Sequence, residues 1–172
     1  ATNAGAVYVF VRDAGIWSQE EIILAPNRHG CGTSGGADQF GWSVALWGDT
    51  IAVGANGTNA GGFVGGVYLY GGPTWSLVKK VQPADALGND RFGSDVALTG
   101  GLLLVGASQP GRKGELYLHG RDVGGIDVWG QIAKFRGSNL ADSTSQYQFG
   151  QYVALSETLA AGAGNLGDNE VY

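Results

Sequence analysis

The stretch Gln39–Ala55, QFGWSVALWGDTIAVGA, recurs along the chain as Arg91–Ala107, RFGSDVALTGGLLLVGA, and as Gln148–Ala163, QFGQYVALSETLAAGA. Each copy has an FG pair, a short V-A-L run, a tight polar turn, a second apolar run and a G-A ending. A unit this short cannot bury its apolar faces alone. Recurrence in phase therefore requires copies that stack on one another.

The segments between the copies repeat as well. Gly5–Phe10 is a β-branched and aromatic run that reads as a strand. It is followed by the turn Arg12–Gly15, by Trp17, and by a second strand-like run, Glu20–Leu24. The same order returns as Gly66–Tyr70, Trp75 and Leu77–Val81, and again as Glu115–Leu118, Trp129 and Ile132–Phe135. The tryptophans stand 58 and then 54 residues apart, and Phe40, Phe92 and Phe149 stand 52 and then 57 apart. The unit is thus four short strands in about 50 residues, the period of a propeller blade. No segment carries a sustained 3.6-residue pattern, and glycine, at 32 of 172 residues, interrupts every stretch long enough for a helix. The chain is predicted to be all-β. The runs Ile51–Val53 and Leu102–Val105 do not alternate, as expected of strands covered on both faces.

These residues resemble the FG-GAP repeats of integrin-α-type β-propellers. Asp38-Gln39-Phe40-Gly41 and Asp90-Arg91-Phe92-Gly93 match the opening of the repeat, and Phe149-Gly150 matches it without the Asp. Gly54-Ala55, Gly106-Ala107 and Gly162-Ala163 match the second motif. The resemblance implies blades of four antiparallel strands, with the V-A-L runs Val44–Leu46 and Val96–Leu98 innermost and the strands after Trp75 and Trp129 outermost. It divides the chain into an outer half-blade and loop (1–37), two blades (38–83 and 90–136) and an inner half-blade (147–172). These three blade-equivalents do not close a ring, which typically has four to eight blades. The expectation is a segment of a larger propeller, or copies that assemble into one ring. The half-blades are then expected to leave apolar faces uncovered, with Val7, Val9, Ile23, Val153 and Leu155 on them.

Calcium-binding blades of this family carry an Asp-rich loop between their first two strands. Here those connections, Trp47–Thr50, Thr99–Gly101 and Ser156–Thr158, offer at most one carboxylate each. Ca²⁺ takes six to eight oxygens, so neither a metal nor another cofactor is expected. The oxygen-rich stretch Asn165–Glu170 reads as a solvated turn. His29 and Cys31 are too close in a glycine-rich loop for a catalytic pair, and the single cysteine forms no intrachain disulfide. Asp38 and Asp90 recur in phase, so they read as turn residues that accept backbone N–H groups. Trp17, Trp75 and Trp129 recur too and read as packing between blades. His119 reads as a strand-end residue.

Loops on a rigid scaffold are where binding residues collect. Arg28 and His29, in the first interblade connection, and Trp47, in a turn, are the ligand-contact candidates. Asn56 heads an N-x-T sequon in a polar loop and is a candidate glycosylation site. The net charge of −5 argues against a nucleic-acid partner, and no apolar run reaches the roughly 18 residues of a membrane-spanning helix. The expected function is non-catalytic: an extracellular or lumenal propeller that binds a protein or glycan, or a structural subunit of a larger assembly. A loop-built enzyme or lectin site is the alternative.

Overall fold

A computed structural model describes residues 5–26, 39–57, 64–85, 90–108, 113–137 and 148–164. Among them are twelve strands and no helix, so the chain is all-β as the repeat implies. The leading hairpin pairs β1 (Ala6–Asp13) with β2 (Ile16–Leu24). The first full sheet is β3 (Phe40–Trp47), β4 (Thr50–Ala55), β5 (Gly66–Gly71) and β6 (Ser76–Val81), antiparallel and in sequence order. The second repeats it with β7 (Phe92–Thr99), β8 (Leu102–Ala107), β9 (Glu115–Gly120) and β10 (Gly130–Phe135). A trailing hairpin joins β11 (Tyr152–Leu155) to β12 (Ala160–Ala163).

Tight turns set the register of these ladders. Ala14 and Gly15 both have positive φ between β1 and β2, as do Gly100 and Gly101 between β7 and β8. Both are two-residue connections whose twist matches that of the strands. Each full sheet also carries a bulge just after its FG pair, between Phe40 and Ser43 and between Phe92 and Asp95. The bulge turns the start of the strand toward the preceding sheet.

Successive sheets meet mainly through β3 with β7, β4 with β7, and β7 with β11, so they converge along their V-A-L edges. The strands that follow Trp75 and Trp129 form the opposite edges. The second strand of each full sheet is covered on both faces: every residue of β4 is buried, and so is β8 beyond Leu102. This explains why those runs do not alternate.

Two interdigitated cores follow from this stacking. Val7, Val9 and Ile23 of the leading hairpin pack onto Phe40, Ile51, Val53, Tyr68 and Tyr70 of the first sheet. The other face of that sheet, with Ala52, Val67 and Leu69, packs onto Phe92, Val96, Val105 and Tyr117 of the second. Phe40 meets Tyr68 edge-on at 5.6 Å, and the equivalent pair Phe92 and Tyr117 does so at 5.3 Å. Such aromatic pairs add about 1 kcal/mol each beyond the area they bury.

The backbones of neighbouring sheets touch where each FG pair begins. Gly65 forms a parallel bridge with Phe92, and Gly114 forms one with Phe149. A Cβ on Gly65 or Gly114 would run into the carbonyl of that Phe, and one on Gly5 would meet Phe40 in the same way. The glycines of the G-A endings serve a second approach, since a Cβ on Gly54 or Gly106 would strike the carbonyl of Gly93 or Gly150.

The uncovered faces differ from those expected. Val7, Val9 and Ile23 are buried against the first sheet, and the opposite side of the hairpin is exposed at Tyr8, Phe10, Ile22 and Leu24. Tyr8 and Phe10 occupy the positions that Tyr68 and Tyr70 hold in the first sheet, where they face the preceding element. Val153 and Leu155 are half-buried, whereas Tyr152 is exposed. Val44 and Leu46 are exposed as well, because the leading hairpin covers only the outer half of the sheet behind it. For the same reason the three recurring tryptophans fare differently. Trp129 is buried, Trp75 is half-buried and donates to Glu20 at 3.3 Å, and Trp17 is exposed, with no element among the described residues over it.

Two outcomes are expected. Gly114→Ala combines a φ of +74° with a collision against backbone, and it should lower stability by about 3 kcal/mol or more in urea unfolding. Gly15→Ala, at a φ of +87° but in open space, should cost only about 1 kcal/mol. The apolar strip Tyr8, Phe10, Ile22 and Leu24 should make the 172-residue polypeptide self-associate in light scattering on concentration. The double substitution Tyr8→Lys, Phe10→Glu should reduce that association without moving the thermal midpoint.

Candidate functional site

A cleft of about 350 Å³ lies at the FG end of the stack, along the inner edge of three successive repeats. Its wall begins with Trp42, Ser43 and Asn56 of the first sheet. It continues through Arg91, Ser94, Asp95 and Ser108 of the second and ends on Gln148, Gln151 and Tyr152 at the trailing hairpin. The residues one and two places after each FG glycine supply most of it, because the bulge there directs them to the convergent edge.

Several of these groups are fixed by bonds between repeats. Ser43 Oγ donates to the carbonyl of Gly93 at 2.9 Å and so ties the first sheet to the second. Asp95 does the same one repeat later: its Oδ2 accepts from Val153 N at 2.8 Å, while its Oδ1 accepts from Val96 N at 3.0 Å. Ser94 and Ser108 share a hydrogen bond of 2.7 Å, and Ser94 Oγ also donates to the carbonyl of Arg91 at 2.6 Å. Asn56 is only 5 % exposed, and its Oδ1 has no hydrogen-bond partner among the described residues. An open acceptor in a buried setting costs roughly 1–3 kcal/mol. Trp42 and Tyr152, by contrast, are 59 % and 62 % exposed.

Of the residues singled out from the sequence, Asn56 is the one the structure brings into the cleft, though not as an accessible loop residue. Its burial leaves little room for a glycan on that candidate site in the folded chain. Trp47 is exposed as expected, but it ends β3, and eight strand residues put it about 23 Å from the FG end. Arg28 and His29 lie outside the described residues, as do Cys31, Asp38 and the Asn165–Glu170 stretch. Asp90 is buried beside the FG pair. Of the other repeat residues, Phe40, Gly41, Gly54, Ala55, Phe92, Gly93, Gly106, Ala107 and Gly150 are in the contacts between repeats. Gly162 packs beside Leu116, and Ala163 is exposed. The cleft itself was not expected. A signal for it existed in the repeat: the pairs Trp42-Ser43, Ser94-Asp95 and Gln151-Tyr152 vary where everything around them recurs.

Two further clusters are structural. Glu115 is buried, which works against its ionised form. Its bonds from Lys134 at 2.6 Å, Tyr117 at 2.6 Å and Arg136 at 2.5 Å outweigh that and hold its carboxyl below the usual range. Lys134 also reaches Asp85, which ties the connection between β6 and β7 to the second sheet. At the Trp47 end, the connection Arg121–Trp129 is closed by Arg121 Nε donating to Asp127 at 2.5 Å and Trp129 N donating to Arg121 O at 2.9 Å. A second hollow of about 300 Å³ opens there, with Asp49 and Thr50 on its wall. No group of three or more metal-ligating side chains occurs among the described residues.

His119 is the next-to-last residue of β9, at the strand end as its sequence position suggests, but its side chain is buried. It is 2 % exposed and edge-on to Phe92 at 6.1 Å, and it lies outside the cleft. Burial depresses its pKa from 6.5 to about 4, although an interaction with the Tyr117 backbone opposes the shift.

The sequence profile of the FG-GAP repeat family matches residues 17–70 and 75–119 of this chain, more than half its length. The chain belongs to the FG-GAP repeat family, and its four-stranded sheets are blades of the propeller type. No curated protein matches it.

The buried histidine and carboxylate define an acid response. The unfolded chain binds a proton at position 119 below pH 6.5, but the folded chain does not until about pH 4. Stability should therefore fall across that window, by up to about 3 kcal/mol. Glu115, with its folded pKa lowered, adds a further loss below its ordinary value of 4.5. Thermal midpoints of His119→Phe should stay flat from pH 6.5 to 5 and drop only in the lower range. A variant as pH-sensitive as the parent in the upper window would contradict this assignment.

Proposed function

We propose that this chain is part of a non-catalytic recognition propeller of an extracellular or lumenal protein, and that it binds its ligand in the cleft at the FG end. The observation that carries this reading is the construction of the cleft. Three consecutive repeats contribute to it, each with the two residues that stand between its FG and V-A-L motifs, where the copies differ. A scaffold that keeps the flanking FG and V-A-L motifs and varies the two residues between them behaves as a frame for a binding surface.

The disposition of charge supports binding over catalysis. Asp95, the carboxylate of the cleft, spends both oxygens on backbone N–H groups and is not poised as a base. His119 is buried elsewhere. Membership of the FG-GAP family supports the location, since such repeats are typical of extracellular or secreted proteins, often in adhesion or binding. A second reading, a subunit that buries its flank in a larger assembly, is favoured by the exposed strip Tyr8, Phe10, Ile22 and Leu24.

Immobilised chain screened against arrays of extracellular proteins and glycans tests the first reading. Retention that Trp42→Ala abolishes and Trp47→Ala leaves intact is the expected result. Retention lost only in the Tyr8→Lys, Phe10→Glu variant would favour the assembly reading instead. We also expect no calcium requirement, because turns of two residues in the full sheets, and of four in the trailing hairpin, stand where a calcium loop would have to fit. Addition of EGTA should leave the thermal midpoint unchanged, and a clear fall would refute that expectation.

A further inference from the structure

The cleft carries a chemical specification for its ligand. Asn56 Oδ1 is an acceptor on a side chain more than nine-tenths buried, it lines the cleft, and no donor among the described residues meets it. A ligand that brings an O–H or N–H group relieves that deficit. The serine hydroxyls of the wall are spent on the protein itself. The groups left to meet a ligand are thus the carboxamides of Asn56, Gln148 and Gln151 and the guanidinium of Arg91. Carboxamides both donate and accept, which suits a partner that does the same at each position.

Charge and shape narrow the class further. Arg91 and Asp95 are the charged residues on the wall, one of each sign, so its net charge is zero and a single guanidinium faces the ligand amid carboxamides. Trp42 and Tyr152 add exposed aromatic surface, apolar across the ring and polar at one tip. The volume is at the small end of the roughly 300–1,000 Å³ typical of small-ligand sites. A folded protein partner would need a broad contact of about 800 Å² with an apolar centre, and this concave polar wall does not provide one.

We propose that the cleft binds the uncharged end of a glycan. Its hydroxyl groups meet Asn56, Gln148 and Gln151, and a C–H face of the sugar lies against Trp42. The inference rests on the reading of the cleft as a recognition site and gives that site its ligand class.

Isothermal titration of the full 172-residue chain decides the matter. The probes are millimolar methyl glycosides of an uncharged hexose, a deoxyhexose and an N-acetylhexosamine, with a methyl glucuronide and an uncharged tetrapeptide for comparison. At least one uncharged glycoside should bind saturably. Trp42→Ala should weaken it tenfold or more, and Gln151→Ala threefold or more. Both side chains lie at the surface of the cleft, so both variants should keep the parent's thermal midpoint. Glycoside binding indifferent to both substitutions would overturn the proposal. Saturable binding of the glucuronide or the tetrapeptide alone, lost in Trp42→Ala, would overturn the glycan class and leave the recognition reading standing. Saturable binding of no probe by the folded chain would overturn both.

Discussion

Everything in this molecule depends on how closely one repeat's backbone can approach the next. Where an FG pair begins, its Phe carbonyl occupies the space that a Cβ on Gly5, Gly65 or Gly114 would fill. Only glycine permits that approach, and two of the three contacts are closed by a parallel bridge. Each bridge pins the start of a V-A-L strand to the start of the third strand in the preceding sheet, and Ser43 joins the V-A-L strands of the two full sheets to each other. The cores follow from the same approach: with the backbones in contact, Phe40 and Phe92 are placed to meet Tyr68 and Tyr70, or Tyr117 and His119, edge-on.

The polar bonds between repeats adapt that common frame to each position. Ser43 and Asp95 stand three places after their Phe and both reach the following repeat, yet one donates to a carbonyl and the other accepts from an amide. The frame therefore fixes where an interblade bond is made and leaves its direction to the local residue. Position 115 shows the same division. Glycine stands at its equivalent, Gly66, whereas Glu115 gathers Tyr117, Lys134 and Arg136 around one buried carboxylate. Such a cluster adds specificity more reliably than net stability, since its desolvation offsets much of its attraction.

Much of the fold was legible because it is written several times. One FG strand with its G-A partner is an ambiguous apolar run, but recurrence in phase identifies the unit, its four strands and the covered second strand. The faces were harder to assign. Val7, Val9 and Ile23 were expected in the open and are buried, because alternation tells that a strand has two sides without telling which side its neighbour takes. The binding candidates show the opposite bias. Loop residues such as Trp47 attracted notice by composition, whereas the cleft is made by residues inside the repeated motif. Asn56 was read from its sequon, and only the structure shows it as a buried acceptor facing a cleft. A contact assembled from three repeats some 50 residues apart leaves no local pattern beyond the positions where the repeats disagree.

The two sides of a sheet in this stack are chemically distinct. Tyr68 and Tyr70 look back toward the preceding repeat, and Val67 and Leu69 look forward to the next. Each joint is therefore head-to-tail and never head-to-head, like links of a polar chain. Such a joint has no built-in end point: its length is set by the angle between links and not by the links themselves. Duplication of a single unit lengthens the array without any new surface having to be invented, and a substitution on one side needs to be matched in only one neighbour. Tandem duplication is a sufficient route to such a chain, and the copies can still diverge inside the stack, as Gly66 and Glu115 do.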